Sequence, residues 1–132
     1  KSRGLGDVYK RQIYTRPELK NLSYQNMTFF GDAAHPIVPF IGQGASLALE
    51  DVFIFGSLLS KYKNDFKATQ KDYESLRLKR IRSIHKKSLN QAKLNHLSNP
   101  LTVFARNILM KYTNVILKRT NSIWSYDVKK II

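Results

Sequence analysis

The sequence predicts a mostly α-helical chain with one or two short strands. Three observations carry this. "ATQKDYESLRLKRIRSIHKKSLNQAKLNHLSNP" has no Gly or Pro until Pro100, the apolar run from Ala45 to Leu59 suits a core helix, and "NMTFFGD" alone has the look of a buried strand. Hydrophobic residues make up 42 % of the 132 positions, enough for a core. The chain has no Cys, which excludes disulfide frameworks, thiolate metal sites and cysteine nucleophiles.

The first segment, "KSRGLGDVYKRQ", resembles from Ser2 to Gln12, codon for codon, the translation of a transposon adaptor used in preparing sequencing libraries. Residues 1–12 are therefore expected to be a scar, with authentic sequence beginning near Ile13 in mid-protein. Its Lys1, Arg3, Lys10 and Arg11 against Asp7 contribute three of the fourteen net positive charges, leaving eleven on the remainder. That excess admits nucleic acid or an anionic membrane surface as partner, or one basic face of a larger protein. No zinc-finger, helix-turn-helix or RNA-binding aromatic pattern supports nucleic acid, so none is expected.

"IYTRPEL" opens the remainder as an extended piece, because the residue before a proline is pushed toward the β region. Met27 to Phe30 reads as a strand ending on Gly31-Asp32. Pro36 and Pro39 then forbid regular structure, and Gly42 and Gly44 offer positions for a positive φ, so the segment reads as a loop. From Ala45 the residues Ala45, Ala48, Leu49, Val52, Phe55 and Leu59 recur at helical spacing, with other apolar residues around the circumference, and the helix should end near Tyr62. Interrupted by Glu50 and Asp51, it falls short of the ~20 residues of a membrane span.

In the long helix that follows, Tyr73, Leu76, Ile84, Ser88 and Ala92 share a face, and Arg77 and Arg80 project from the same arc. Charges on a packing face require partners. Glu50 and Asp51, inside the preceding helix, are expected to pair with basic helix residues and not to act as paired catalytic carboxylates, and His85 and His96 read as ordinary polar-face residues. Pro100 suits the first turn of another helix, through "LTVFARNILMKYTNVIL". The Leu, Ile, Trp and Lys mixture after Leu101 allows a peripheral membrane contact.

A carboxylate at the end of a strand accepts hydrogen bonds from ligand hydroxyls, and sugar-like hydroxyls suit it. A Gly-rich turn entering a helix aims free N–H groups and the positive end of the helix dipole at one point, favouring a partly anionic, oxygen-rich group. Bare backbone at Gly42 and Gly44 admits a flat ring.

"GDAAHPIVPFIGQGASLALEDV" resembles the FAD-dependent aromatic-ring hydroxylases, the class A flavoprotein monooxygenases, of the salicylate hydroxylase and zeaxanthin epoxidase kind. "YESLRLKRI" and "HLSNPLTVFARN" extend the likeness to about Lys111. The resemblance implies an α/β parent with a Rossmann-like FAD-binding domain and a substrate domain. Of this parent, residues 13–62 would be the C-terminal part of the FAD-binding domain and residues 63–132 a helical region. It implies that Gly31 and Asp32 meet the ribityl chain of FAD and that Pro36 and Pro39 wall the ring. Gly42, Gln43, Gly44 and Ala45 would bring backbone amides to its pyrimidine side. The implied reaction is reduction of FAD by NAD(P)H, capture of O2 as a flavin hydroperoxide, and transfer of one oxygen to an aromatic or unsaturated small molecule. No catalytic residue and no metal site is assigned, His35 is expected to be structural or flavin-adjacent, and the expected compartment is the cytoplasm.

Overall fold

The computed structural model describes residues 17–131. The adaptor-like segment and Ile13 to Arg16 lie outside them. Strands β1 (Ser23–Tyr24) and β2 (Met27–Thr28) form an antiparallel pair with Ser23 opposite Thr28 and Tyr24 opposite Met27. Gln25 takes a φ of 51° in the two-residue turn between them. The strand expected over Met27 to Phe30 thus stops at Thr28. Phe29 and Phe30 turn into the core instead, where the Phe30 and Phe55 rings meet edge to face with centroids 5.1 Å apart.

Gly31-Asp32 accordingly opens a single helical turn, α1 (Gly31–Ala34), and does not end a strand. A 3₁₀ turn, Pro39–Ile41, follows, closed by Gly42 in the left-handed region at φ 64°. Gly44 has no positive φ and is the first residue of helix α2 (Gly44–Lys61). A tight link carries the chain into α3 (Phe66–Asn95), where Asp65 caps the first turn by accepting from the Ala68 N–H at 3.1 Å. α3 runs back along α2 as the other half of a helical hairpin.

The buried face of α2 is not the one the apolar spacing selects. Leu47, Asp51, Ile54 and Leu58 are inside, while Leu49 and Val52 are 73 % and 63 % exposed. α2 is apolar around most of its circumference, and Asp51 gives the true core face the look of a polar one. The buried face of α3 agrees better with the spacing: Tyr73, Arg77, Arg80, Ile84 and Ser88 are all inside. Ser88 Oγ donates to the Val38 carbonyl at 2.7 Å and Tyr73 Oη to the Phe29 carbonyl at 3.1 Å, so α3 grips the loop preceding α2 at both ends.

Helix α4 (Pro100–Tyr112) starts on Pro100 behind the cap of Asn99, whose side chain accepts from the Leu101 N–H. The helix does not continue through "TNVIL". Thr113 is extended, and α5 (Val115–Trp124) begins after it. α4 buries no residue, whereas α5 inserts Ile123 against Leu47 and Ile84. A 3₁₀ turn, Val128–Lys130, closes the described chain. No helix among the described residues is long and apolar enough to cross a membrane.

Candidate functional site

The turn Gly31–His35 stands on a buried ionic network. Gly31 has a φ of 53°, which directs its N–H inward to Asp51 Oδ2 at 3.0 Å. His35 Nε2 donates to the same oxygen at 2.6 Å. Arg77 fills the other side: Nε donates to Asp51 Oδ1 and Nη1 to Glu50 Oε2, both at 2.7 Å, and Nη2 to the Leu47 carbonyl at 3.2 Å. Arg80 Nη2 bridges Glu50 Oε1 at 3.0 Å and the Ile123 carbonyl at 3.1 Å, with its guanidinium 3.9 Å from the centre of the Tyr126 ring. Glu50 and Asp51 do pair with basic helix residues, as expected, and the structure identifies these as Arg77 and Arg80; α1, α2, α3 and α5 converge on the network.

Asp51 and Arg77 are both fully buried. Burial pushes the Asp51 carboxyl up, but the hydrogen bonds from His35 and the Gly31 N–H and the charge of Arg77 outweigh it, holding the group below the ordinary carboxylate value. Burial likewise works against the Arg77 charge and is overcome by Asp51 and Glu50. A carboxylate with a lowered native pKa adds stability that is complete above its unfolded value, near ~3.9, and is lost as pH falls through the native value. The melting temperature should therefore fall with acid below about pH 4, and an Asp51→Asn variant should lose that part of the slope. A slope unchanged in the variant would show that other carboxylates carry it.

Above this network lies an open hollow of about 470 Å³, edged by Asp32, Pro39, Gly42, Gly44 and Ala45. Five of the eight residues singled out from the sequence thus come together. α2 begins beside them without a side-chain cap, because Gln43 makes no capping hydrogen bond, so its first-turn N–H groups are left for an outside partner. A Cβ placed on Gly42 or Gly44 would meet no atom within 4 Å, which leaves room for a ligand to approach the backbone. Asp32 is exposed at the rim.

The other three stand apart. Gly31 lies beneath, committed to Asp51. Gln43 is buried at 8 % exposure. Pro36 turns to the far side of the loop, onto a small cavity of about 20 Å³ shared with His35 and His85. Asp51 as the centre of the network is missing from the sequence-derived site. The available signal was its spacing from Leu47, Ile54 and Leu58, which puts it on their face. Among the described residues no cluster of three or more His, Asp or Glu could hold a metal ion.

No protein-family model and no solved structure matches the chain. Curated relatives do. It is 38 % identical over 85 residues to a 3-amino-4-hydroxybenzoate 2-monooxygenase of Streptomyces platensis, covering 64 % of this chain and 22 % of that protein. It is 31 % identical over 112 residues to an FAD-dependent monooxygenase of Aspergillus calidoustus, covering 78 % and 24 %. With a kynurenine 3-monooxygenase of Flavobacterium psychrophilum it shares 43 % identity over 74 residues, covering 54 % and 17 %. The chain thus spans about a quarter or less of the length of these relatives.

Proposed function

We propose that the chain is the flavin-contacting C-terminal part of an FAD-dependent monooxygenase acting on a small aromatic or unsaturated molecule with O2. The observation that carries this reading is the convergence of Asp32, Pro39, Gly42, Gly44 and Ala45 on one open hollow at the uncapped start of α2. The likeness to monooxygenases supports it. In this reading residues 13–62 complete the FAD-binding domain of an α/β parent, and residues 63–132 are its helical region.

The residues present fit FAD. The Asp32 carboxylate would accept hydrogen bonds from ribityl hydroxyls. The N–H groups of Gly44 and Ala45 would face the oxygen-rich pyrimidine edge, where the helix dipole favours negative charge. Pro39 would lie against the ring, and the buried network under Gly31 would keep the loop from yielding. When bound, FAD supplies the redox chemistry: it takes electrons from NAD(P)H and activates O2, so that one oxygen reaches the substrate.

Two substitutions test the site in a protein completed to the length of its relatives. Asp32→Ala removes the ribityl hydrogen bonds at an exposed position and should weaken FAD by about 1–3 kcal/mol, or roughly 5- to 150-fold. Gly44→Val puts a branched side chain into space that is empty of protein, so it should lower FAD occupancy while leaving the melting temperature of the flavin-free protein within a few degrees. Wild-type flavin affinity in both variants would remove the assignment. Lys86→Ala, at an exposed position of α3, serves as the comparison.

A further inference from the structure

Two imidazoles that line the small cavity behind Pro36 each have one unpaired nitrogen. His35 Nδ1 and His85 Nε2 are buried and meet no hydrogen-bond partner among the described residues, and both residues border this space of about 20 Å³. The opposite nitrogen of each ring is held by a carboxylate: His35 Nε2 by Asp51 Oδ2 at 2.6 Å and His85 Nδ1 by Glu18 Oε1 at 3.1 Å. A carboxylate oxygen accepts, so it draws the ring proton to the nitrogen it faces. His35 therefore carries its proton on Nε2 and His85 on Nδ1, and the nitrogens left over are two acceptors in need of a donor.

The rest of the lining is mostly apolar, with Leu22, Ile37, Leu78 and Ile81 among it. Glu18 is engaged with His85 and Arg82, and among the described residues no cluster of three His, Asp or Glu could hold a metal ion, so a cation would find two ligands and no third. A water fits better. It needs about 10–15 Å³ and can donate to two acceptors at once.

We propose that the cavity binds one water molecule, which donates to His35 Nδ1 and His85 Nε2, and that through it His85 positions the turn carrying Asp32. The water completes a path from Arg82 and Glu18 at the surface through His85 and His35 to the buried Asp51 and Arg77. His35 closes the turn, its backbone N–H donating to the Gly31 carbonyl at 2.8 Å, so a ring pinned at both nitrogens steadies Gly31–His35 between α2 and α3. Binding of the water and support of the turn stand without the flavin reading; only their bearing on the cofactor rests on it.

The test uses the flavin-free chain. Long-range proton–nitrogen correlation of the histidine rings should show the proton on Nε2 of His35 and on Nδ1 of His85. Magnetic relaxation dispersion of the solvent, which counts waters held inside a protein, should find one fewer in His85→Leu than in wild type. The count should be unchanged in His85→Gln, whose amide oxygen replaces Nε2 as acceptor. Exchange of the Gly31 N–H should be roughly tenfold faster in His85→Leu and within about twofold of wild type in His85→Gln. Leu suits an apolar cavity at least as well as Gln does, so packing alone would reverse that order. A His85 proton on Nε2 would overturn the pair of acceptors, and it is read on the wild type without any variant having to fold. An equal count of internal waters in wild type and His85→Leu would remove the water. Equal Gly31 exchange in the two variants would remove the positioning role. Zinc that raised the melting temperature of wild type but not of His85→Leu would make the cavity a metal site instead. No flavin enters these measurements, so their failure and a failure of the Asp32 and Gly44 measurements are read separately.

Discussion

Asp51→Ala is expected to destabilise the fold by about 3–5 kcal/mol, because it leaves a buried guanidinium without its main counter-charge. Arg77 is fully buried and would retain only Glu50 and the Leu47 carbonyl. The Gly31 N–H and the His35 Nε2 would lose their acceptor at the same time. The damage should therefore spread from the core to the turn that carries Asp32. Urea unfolding measures the first effect, and amide hydrogen exchange at Gly31 the second. A double variant, Asp51→Leu with Arg77→Met, removes both charges and should be closer to wild type than Asp51→Ala is, since a matched apolar pair replaces a charge pair at little cost. If Asp51→Ala unfolded at the wild-type urea midpoint, the network would be ornamental to stability. If the double variant were the sum of its singles, Asp51 and Arg77 would not be coupled.

Gly31→Val should be the next most damaging change. At a φ of 53° a residue with a side chain pays about 1–2 kcal/mol of backbone strain, and a branched one fares worse. A Cβ at this position would also lie 3.3 Å from Ala48 Cβ, tight enough that α2 must give way, and crowding of this kind adds about 1–3 kcal/mol. Two other glycines separate the terms. Gly42→Ala carries the strain of a positive φ with nothing near its Cβ, so it should lose about 1–2 kcal/mol and no more. Gly56→Ala sits inside α2 with an open side, where a methyl group should stabilise by about 0.5–1 kcal/mol. Thermal melts that failed to rank Gly31→Val below Gly42→Ala and Gly56→Ala would contradict the close packing of the turn on α2.

The helical architecture was legible in the sequence because it rests on local signals. Proline and glycine mark the start of α4 and the turn before α2, an uninterrupted run marks α3, and the motif from Gly31 to Val52 identifies the likeness to flavin monooxygenases. That Arg77 and Arg80 need buried partners, and that Glu50 and Asp51 pair with basic helix residues, was legible too, since a charge in apolar surroundings demands a counter-charge; which acid meets which arginine was decided by the packing of α2 on α3. The face of α2 was not. A helix apolar on nearly every side has no preferred direction of its own, and the residue that would have fixed it, Asp51, reads as polar until its partners on α1 and α3 are in place. Nor could spacing separate Gly42, whose backbone is left-handed, from Gly44, which starts a helix, because both conformations are open to glycine. The eight residues of the sequence-derived site divide for the same reason. Of the chain neighbours Gln43 and Gly44, the first is buried and the second edges the hollow, and which backbone stays open to it is settled by what α2 and α3 bury beneath the turn.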